Sequence, residues 1–215
     1  MAFPPRLVLA SKNPGKIREI LEICPDWPVQ WVLGSSLAID PDPGHEVASW
    51  PDVEESGTTY LENALFKARA AGRAVGAPAI AEDSGIEVDA LGGEPGPRSA
   101  RYAGNAAGDE ENVQRLIDRV RSVPEESRTA RYRCVAVCAW PDGQEVWAEG
   151  TCEGEVITEP RGSGGFGYDP IFVPHDHRRT MAELFPEEKN AISHRGQAIR
   201  ALGDLLEGLS PRPSR

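Results

Sequence analysis

The chain has 215 residues, and its 34 acidic residues outnumber its 23 basic residues, so the formal net charge is −11. This balance argues against sequence-independent binding to nucleic acid, which needs a basic surface, and an anionic ligand would need a local group of cations or a metal ion. With 40% apolar and 27% charged residues, the composition is that of a soluble globular protein, and residues 1–215 can form one domain with two lobes.

Two further features of the composition limit the possible functions. The first residues lack the long apolar segment of a signal peptide, and no run of roughly 20 apolar residues, as a membrane span requires, occurs. We therefore expect a cytoplasmic protein with no membrane contact. The four cysteines form no C-x-x-C pair, which favours buried structural thiols over zinc ligands. Only four of the basic residues are lysines, and each is a candidate for a compact point charge: Lys12, Lys16, Lys67 and Lys189.

The chain opens with a strand, a short loop and a helix. Residues 6–10 are apolar and indicate a buried strand, while Asn13 is typical of a helix N-cap and Pro14 of the first helical position. Residues 11–16 therefore present backbone N–H groups and the positive end of a helix dipole beside a lysine, which can hold phosphate. The segment is not a P-loop, because Ile17 stands where Ser or Thr is needed. An ordinary capped helix with a solvated lysine explains the segment equally well.

Acidic residues follow in two places. Residues 34–57, with an acidic proline-rich stretch at 38–52, predict a loop around at most one short strand. Thr59 and Glu62 form a capping box for a helix that ends near Gly72 or Gly76.

The second acidic place follows a short strand predicted over residues 77–81. Glu82 and Asp83 would then lie at a strand end, with Glu54 and Glu55 in the preceding loop. Carboxylates of this kind suit Mg²⁺, which takes one or two of them and leaves the other positions to water and phosphate. A single surface acid is usually only solvated, but the strand-end position favours a function for Asp83.

The second half of the chain continues with a helix and a hairpin. Asp109 is expected to cap a helix that runs to Val120. Residues 132–140 and 145–152 flank a Pro-Asp-Gly turn and predict a β-hairpin.

The glycine-rich run at 162–167 matches G-x-G-x-x-G, but it leads into a strand at 171–173 rather than into a helix, which excludes a dinucleotide-binding turn. A flexible loop there could stack Phe166 or Tyr168 on a flat base and offer Asp169 as an acceptor. A tight turn into the strand is the alternative.

A last helix opens at Ser193 and carries apolar residues at helical spacing. Lys189, His194 and Arg195 lie close to this helix start and can converge on an anion. Strands and helices mixed along a chain without an internal repeat predict an α/β fold, and residues 210–215 are expected to form a disordered tail.

Taken in order, these segments resemble the inosine and xanthosine triphosphate pyrophosphatases, the Ham1-like or non-standard purine NTP pyrophosphatase family. The resemblance runs from Leu7 to about Leu206, and its most specific motifs are Gly-Phe-Gly-Tyr-Asp-Pro at 165–170 and Ser-His-Arg at 193–195. It implies an elongated mixed β-sheet flanked by helices, in two lobes with a substrate cleft between them, and a homodimer. It also implies Mg²⁺-dependent hydrolysis of XTP, ITP or dITP at the α-phosphorus to the monophosphate and pyrophosphate, which would cleanse the nucleotide pool.

The same resemblance implies roles for individual residues. Asp83 would be the general base and a metal ligand, and Glu54 the second metal ligand, with Glu55 as its direct competitor. The phosphates would be held by Ser11, Lys12, Asn13, Pro14, Gly15 and Lys16. Other contacts to the nucleotide would come from Ser84, Phe166, Gly167, Tyr168, Asp169, Lys189, His194 and Arg195.

The pattern departs from the family at two positions without losing a charge. Ser-Lys-Asn stands in the first loop where many relatives have Thr-Gly-Asn, and Glu82-Asp83 stands where Asp-Asp is common. Selectivity against ATP would follow if a backbone N–H or Arg195 bonds the 6-oxo group of the base, because adenine places an amino donor there. Two alternatives stay open: a Maf-type pyrimidine triphosphate pyrophosphatase, which shares the strand–loop–helix opening, and a nucleotide-binding sensor without catalysis.

Overall fold

The computed structural model describes residues 3–34, 45–53 and 55–208. Glu54, residues 38–44 of the proline-rich stretch and the predicted tail at 210–215 lie outside this range. The chain divides into two compact units. The first comprises Met1–Asp83, Val135–Glu149 and Ala198–Arg215, and the second Ser84–Cys134 and Gly150–Gln197.

A mixed β-sheet organises the described part of the chain. Its strands are β1 (Arg6–Leu9), β2 (Gln30–Gly34), β3 (Glu46–Ala48), β4 (Ala79–Val88), β5 (Thr129–Ala139), β6 (Glu145–Val156) and β7 (Phe172–Pro174). These seven strands lie in the order β3-β2-β1-β4-β5-β6-β7. Strand β1 is parallel to β2 and β4, β2 is parallel to β3, and β6 is antiparallel to β7. Strands β5 and β6 form the hairpin predicted around the Pro-Asp-Gly turn.

The helices confirm the α/β prediction. They are α1 (Pro14–Ile23), α2 (Tyr60–Val75), α3 (Asp109–Val120), α4 (Pro186–Ile192) and α5 (His194–Gly208). The side chain of Asn13 accepts the N–H of Lys16 at 3.1 Å, so α1 begins as predicted. Thr59 and Glu62 form the expected capping box, and the C-cap of α2 is Gly76, whose left-handed φ of 70° suits glycine. No helix among the described residues is long and apolar enough to cross a bilayer.

Small residues build the core of the first unit. Ala64, Ala68 and Ala71 of α2 are fully buried against alanines and valines of β1, β4 and β5. The approach is close, since a Cβ on Gly72 would lie 3.1 Å from the carbonyl oxygen of Ala77. Short side chains on both surfaces thus bring α2 near to β4, where the predicted acids lie.

Larger side chains build the core of the second unit. Leu116 and Ile117 of α3 pack in one cluster with Tyr132, Tyr168 and aliphatic residues of β4 and β6. The cysteines are free and buried throughout, and burial raises the pKa of Cys24 to about 12, which confirms their structural role. This second core holds the segment that follows the glycine-rich loop.

Three local predictions need correction. Strand β4 runs to Val88, so Glu82 and Asp83 lie within a strand and not at its end, because alternating apolar residues continue the strand past Gly85. The N-cap of α3 is Gly108, whose N–H the Glu111 side chain accepts, and Asp109 is the first helical residue. Lys189 lies in the last turn of α4, a short helix that ends just before Ser193.

Candidate active site

The two acids of β4 lie beyond the end of its neighbour β1. The last paired residues are Leu9 and Ile80, and the N–H of Ala10 donates to the carbonyl of Ile80 at 2.7 Å. From Ala10 the chain turns into the loop before α1, so Glu82 and Asp83 continue past the carboxyl end of a parallel strand. Ligands in open α/β sheets bind at such strand ends.

Two lysines meet these acids. Lys16 Nζ lies 2.9 Å from Glu82 Oε1, and Lys67 Nζ lies 3.3 Å from Asp83 Oδ1 and 2.9 Å from Glu55 Oε1. The side chains of Glu82 and Asp83 are only 1% and 6% exposed. We call these five residues the acid–lysine cluster.

Helix α2 holds both oxygens of Asp83. Asn63 Nδ2 donates to Asp83 Oδ2 at 3.1 Å, and Lys67, one turn further along the same helix face, reaches Oδ1. Asn63 is fully buried, and its Oδ1 accepts the N–H of Gly57 at 2.9 Å. One amide therefore fixes the carboxylate of Asp83 and also the chain just after Glu55.

Burial and charge act against each other in this cluster. Burial raises the pKa of Asp83 above its ordinary value, although Lys67 and Lys16 oppose the rise. Burial acts to lower the pKa of Lys67, but the carboxylates of Asp83, Glu55 and Glu82 outweigh it and the pKa is raised. The cluster therefore combines a carboxylate with raised proton affinity and a lysine that stays charged.

The loop before α1 is ordered by its own side chains. Ser11 Oγ accepts the N–H of Asn13 at 3.2 Å, and Asn13 caps the helix. Pro14 occupies the first helical position, where it has no N–H to lose, and Gly15 follows in the first turn. Exposed Lys12 forms an ion pair with Asp52. The loop thus places Lys16 in the acid–lysine cluster and Lys12 outside it.

In the second unit, Asp169 organises the predicted base-contacting residues. Its Oδ2 accepts a hydrogen bond from the N–H of Phe166 at 2.9 Å and forms an ion pair with Lys189 Nζ. Its Oδ1 accepts a hydrogen bond from the hydroxyl of Tyr132 at 3.3 Å. Lys189 Nζ and Arg195 Cζ lie 5.1 and 5.3 Å from the centroid of the Phe166 ring. Because Asp169 already accepts these bonds, the structure favours a role in ordering the loop over a role as acceptor for a base.

The two aromatic residues near Asp169 differ in how far their side chains are exposed to solvent. Tyr168 is buried in the second core and donates its hydroxyl to the carbonyl of Ser99 at 2.8 Å, and burial raises its pKa. Phe166 is only partly buried, so it is the better candidate for stacking on a base.

His194 and Arg195 follow Ser193 at the start of α5, and a contact with another segment holds each of them. The imidazole of His194 stacks on the Tyr132 ring with centroids 4.5 Å apart and planes 7° apart. Arg195 Nη2 donates to Ser84 Oγ at 3.0 Å, and Ser193 Oγ accepts the N–H of Gly196, which caps α5 as predicted. Ser84 and Arg195 are therefore brought together, and their contact with a nucleotide stays a prediction.

Three residues that contact Asp83 or Asp169 are not among the site residues predicted from the sequence. Asn63 and Lys67 lie four positions apart on a helix, and Lys67 is one of only four lysines, which was the available signal. Tyr132 gave no signal beyond its place in a strand. Among the described residues, no group of three or more acidic, His or Cys side chains could hold a metal ion. Mg²⁺ needs only one or two carboxylates, and the carboxylate of Asp83 has the chemistry of such a ligand.

Comparison with known proteins places this geometry in context. The model of the Ham1 family matches residues 7–205. A dITP/XTP pyrophosphatase of Geobacillus kaustophilus is 46% identical over 201 residues, 94% of each chain, and one of Symbiobacterium thermophilum is 50% identical over 207 residues, 95% of this chain and 96% of that protein. Among solved structures, a HAM1 protein from Coxiella burnetii matches with a TM-score of 0.80 at 39% identity, over 97% of this chain and 100% of that chain.

Proposed function

This chain belongs to the Ham1 family, and we propose that it hydrolyses XTP, ITP and dITP at the α-phosphorus to the nucleoside monophosphate and pyrophosphate. Relatives at 46% and 50% identity carry the name dITP/XTP pyrophosphatase. Asp83 carries the proposal on the structural side, because a buried carboxylate with a raised pKa beside charged lysines is suited to accept a proton from water.

Asp83 is the proposed general base. Its carboxylate accepts a proton from the attacking water while an oxygen of that water bonds to the α-phosphorus. The bond from the α-phosphorus to the bridging oxygen breaks, and its electron pair leaves with pyrophosphate. Asn63 and Lys67 keep the carboxylate in one orientation, so the barrier includes little reorganisation of the base.

The phosphates are assigned to residues 11–16. In the N-terminal turn of α1, Pro14 has no N–H and the Asn13 side chain accepts the N–H of Lys16, so a phosphate would meet the N–H of Gly15 and the positive end of the helix dipole. Lys16 adds a nearby point charge, since its Nζ lies 2.9 Å from Glu82. Phosphoryl transfer depends on alignment and charge neutralisation more than on covalent help, which is what these groups provide.

We assign Mg²⁺ to Asp83 and to one of the acids of the preceding loop. The hard carboxylate oxygen of Asp83 fits the donor preference of this ion, and Glu55 joins the same cluster through Lys67. Glu54, the other candidate, lies outside the described residues. Bound Mg²⁺ would neutralise charge on the phosphates and lower the pKa of a coordinated water.

The base is assigned to the second unit. Phe166 would stack on the purine, while Arg195 would bond the 6-oxo group, which adenine lacks. The roles of Ser84, Gly167, Lys189 and His194 in nucleotide contact, the substrate cleft, the homodimer, the cytoplasmic location and the absence of nucleic-acid partners stay predictions.

A panel of triphosphates tests the proposal. With Mg²⁺ present, we expect pyrophosphate release from ITP, XTP and dITP to exceed release from ATP by at least about a hundredfold in kcat/KM. In water labelled with ¹⁸O, attack at the α-phosphorus places the label in the monophosphate, whereas attack at the β-phosphorus places it in pyrophosphate. Equal turnover of ATP or GTP would contradict the specificity, faster turnover of dTTP or UTP would indicate a pyrimidine enzyme, and binding without hydrolysis would indicate a sensor.

A further inference from the structure

Hydrogen bonds hold the peptide groups before and after Phe166. The N–H of Phe166 donates to Asp169 Oδ2 at 2.9 Å, and its carbonyl accepts the N–H of Asp169 at 3.4 Å. The next N–H, that of Gly167, donates to Asp109 Oδ2 at 2.7 Å. Both peptide groups that flank the ring are thereby oriented, the first by the side chain of Asp169 and the second by the N–H of Asp169 together with Asp109 of α3.

Asp109 is free to make this contact because it does not cap its own helix. Gly108 takes the N-cap position, and the Glu111 side chain accepts the N–H of Gly108 at 2.8 Å. The carboxylate of Asp109 is thus directed at a residue 58 positions later in the chain. A bond between a carboxylate and a backbone N–H is stronger than a bond between neutral groups.

Packing alone gives the glycine-rich loop little support on this side. The loop and the first half of α3 line a cavity of about 410 Å³, and Asp109, Glu110 and Gly167 are among its lining residues. Gly167 has a left-handed φ of 60°, and a Cβ built on it would meet no atom within 4 Å. The bond from Gly167 to Asp109 therefore restrains a segment with open space behind it.

We propose that Asp109 is a positioning residue for nucleotide binding, which fixes the peptide between Phe166 and Gly167 and so holds the Phe166 ring ready for the base. The proposal rests on the function proposed above, in which Phe166 stacks on the purine. Asp109 touches neither the phosphates nor the reacting atoms in this scheme. Its loss should therefore weaken binding and leave the chemical step unchanged, because the nucleotide must then order the loop itself.

A pair of neighbouring acids allows a matched experiment. Asp109→Ala and Glu110→Ala each remove one exposed negative charge from the first turn of α3, so both change the net charge and the helix dipole interaction equally. Only the first removes the bond to Gly167. Asp109→Asn retains an oxygen that can accept the same N–H and serves as the conservative variant.

We expect Asp109→Ala to raise KM for ITP, and the Kd of a non-hydrolysable ITP analogue, by about tenfold with kcat within about twofold of the parent chain. Glu110→Ala and Asp109→Asn should stay within about threefold in KM. Hydrogen exchange of residues 163–168 in the nucleotide-free protein should be faster in Asp109→Ala than in Glu110→Ala.

The results separate the two proposals. If the parent chain hydrolyses ITP and Asp109→Ala matches Glu110→Ala in KM, Kd and exchange, the positioning role is refuted while the proposed function stands. A parallel fall in kcat with no change in KM would also refute it. If the parent chain hydrolyses no purine triphosphate, the proposed function fails, whereas the exchange measurement still tests the restraint of the loop.

Discussion

Replacing Asp83 by Asn should abolish hydrolysis and make the protein more stable at pH 7. Burial raises the pKa of Asp83 in the folded state in spite of Lys67 and Lys16, so the folded protein bears a penalty for ionising this group. Asparagine removes the charge and keeps an oxygen that can accept the amide of Asn63. Lys67 keeps Glu55 at 2.9 Å as its partner.

The size of the gain follows from linkage between protonation and folding. Each unit by which folding raises a carboxyl pKa costs about 1.4 kcal/mol at pH values above both pKa values. Because the variant also weakens the contact to Lys67, we expect its free energy of unfolding to rise by only about 1 kcal/mol. That corresponds to a rise of roughly 2–4 °C in the unfolding midpoint for a chain of this length. The size of this gain depends on pH, because the wild-type group is neutral in both states below its ordinary pKa of 3.8. The advantage of the variant should therefore vanish below that pH, appear as pH rises through the folded pKa, and persist above it.

Thermal unfolding with EDTA, from pH 3 to pH 8, measures this difference without a bound metal ion. Asp89→Asn is the control with the opposite sign, because a hydrogen bond from Thr129 and the charge of Arg131 lower the pKa of Asp89. That variant should be less stable than the wild type at pH 7, and its deficit should disappear as pH falls through the lowered pKa of Asp89. A lower midpoint for Asp83→Asn at pH 7 would refute the reasoning, and so would pyrophosphate release near the wild-type rate.

Three further substitutions test the contacts around Asp83 and Asp169. Asn63→Ala removes the partner of Asp83 Oδ2 and of the N–H of Gly57 and should cost about 1–3 kcal/mol in urea unfolding, whereas a cost under about 0.5 kcal/mol would contradict the buried network. Gly165→Ala should raise KM for ITP at least about tenfold more than Gly167→Ala. Both glycines have left-handed φ, but only a Cβ on Gly165 would lie 2.0 Å from Asp169 Oδ2, so equal KM values would contradict the steric argument.

Local signals were sufficient for the parts of the fold that depend on neighbouring residues. Asn13 with Pro14, and Thr59 with Glu62, mark helix starts because a cap satisfies N–H groups only two or three residues away. Local sequence signals did not predict the length of β4. The strand predicted over residues 77–81 continues to Val88 because of the apolar residues after Gly85, whose burial requires the second core.

Contacts between distant residues were beyond a reading of the sequence. The Asp83 carboxylate is held by Asn63, 20 residues earlier, and the N–H of Gly167 by Asp109, 58 residues earlier. Each bond depends on how a helix packs on the sheet, which periodicity does not specify. Asp109 in particular looks like a helix cap, because a side chain at a helix start can bond its own helix or another segment, and only the fold decides between them.

The excess of acidic residues in the chain includes carboxylates that contact its few lysines. All four meet carboxylates in the structure: Lys12 meets Asp52, Lys16 meets Glu82, Lys67 meets Asp83 and Glu55, and Lys189 meets Asp169. Nearby acids favour the charged form of a buried lysine, which burial alone would discharge. With every group ionised, however, the acid–lysine cluster carries one more negative than positive charge, so it would repel a triphosphate. A divalent cation would make the net charge of the cluster positive, whereas a proton on Asp83 would only make it neutral. The excess of acids thus supports the proposed Mg²⁺ requirement: carboxylates keep Lys67 charged, and the anionic substrate can bind when the cation accompanies it.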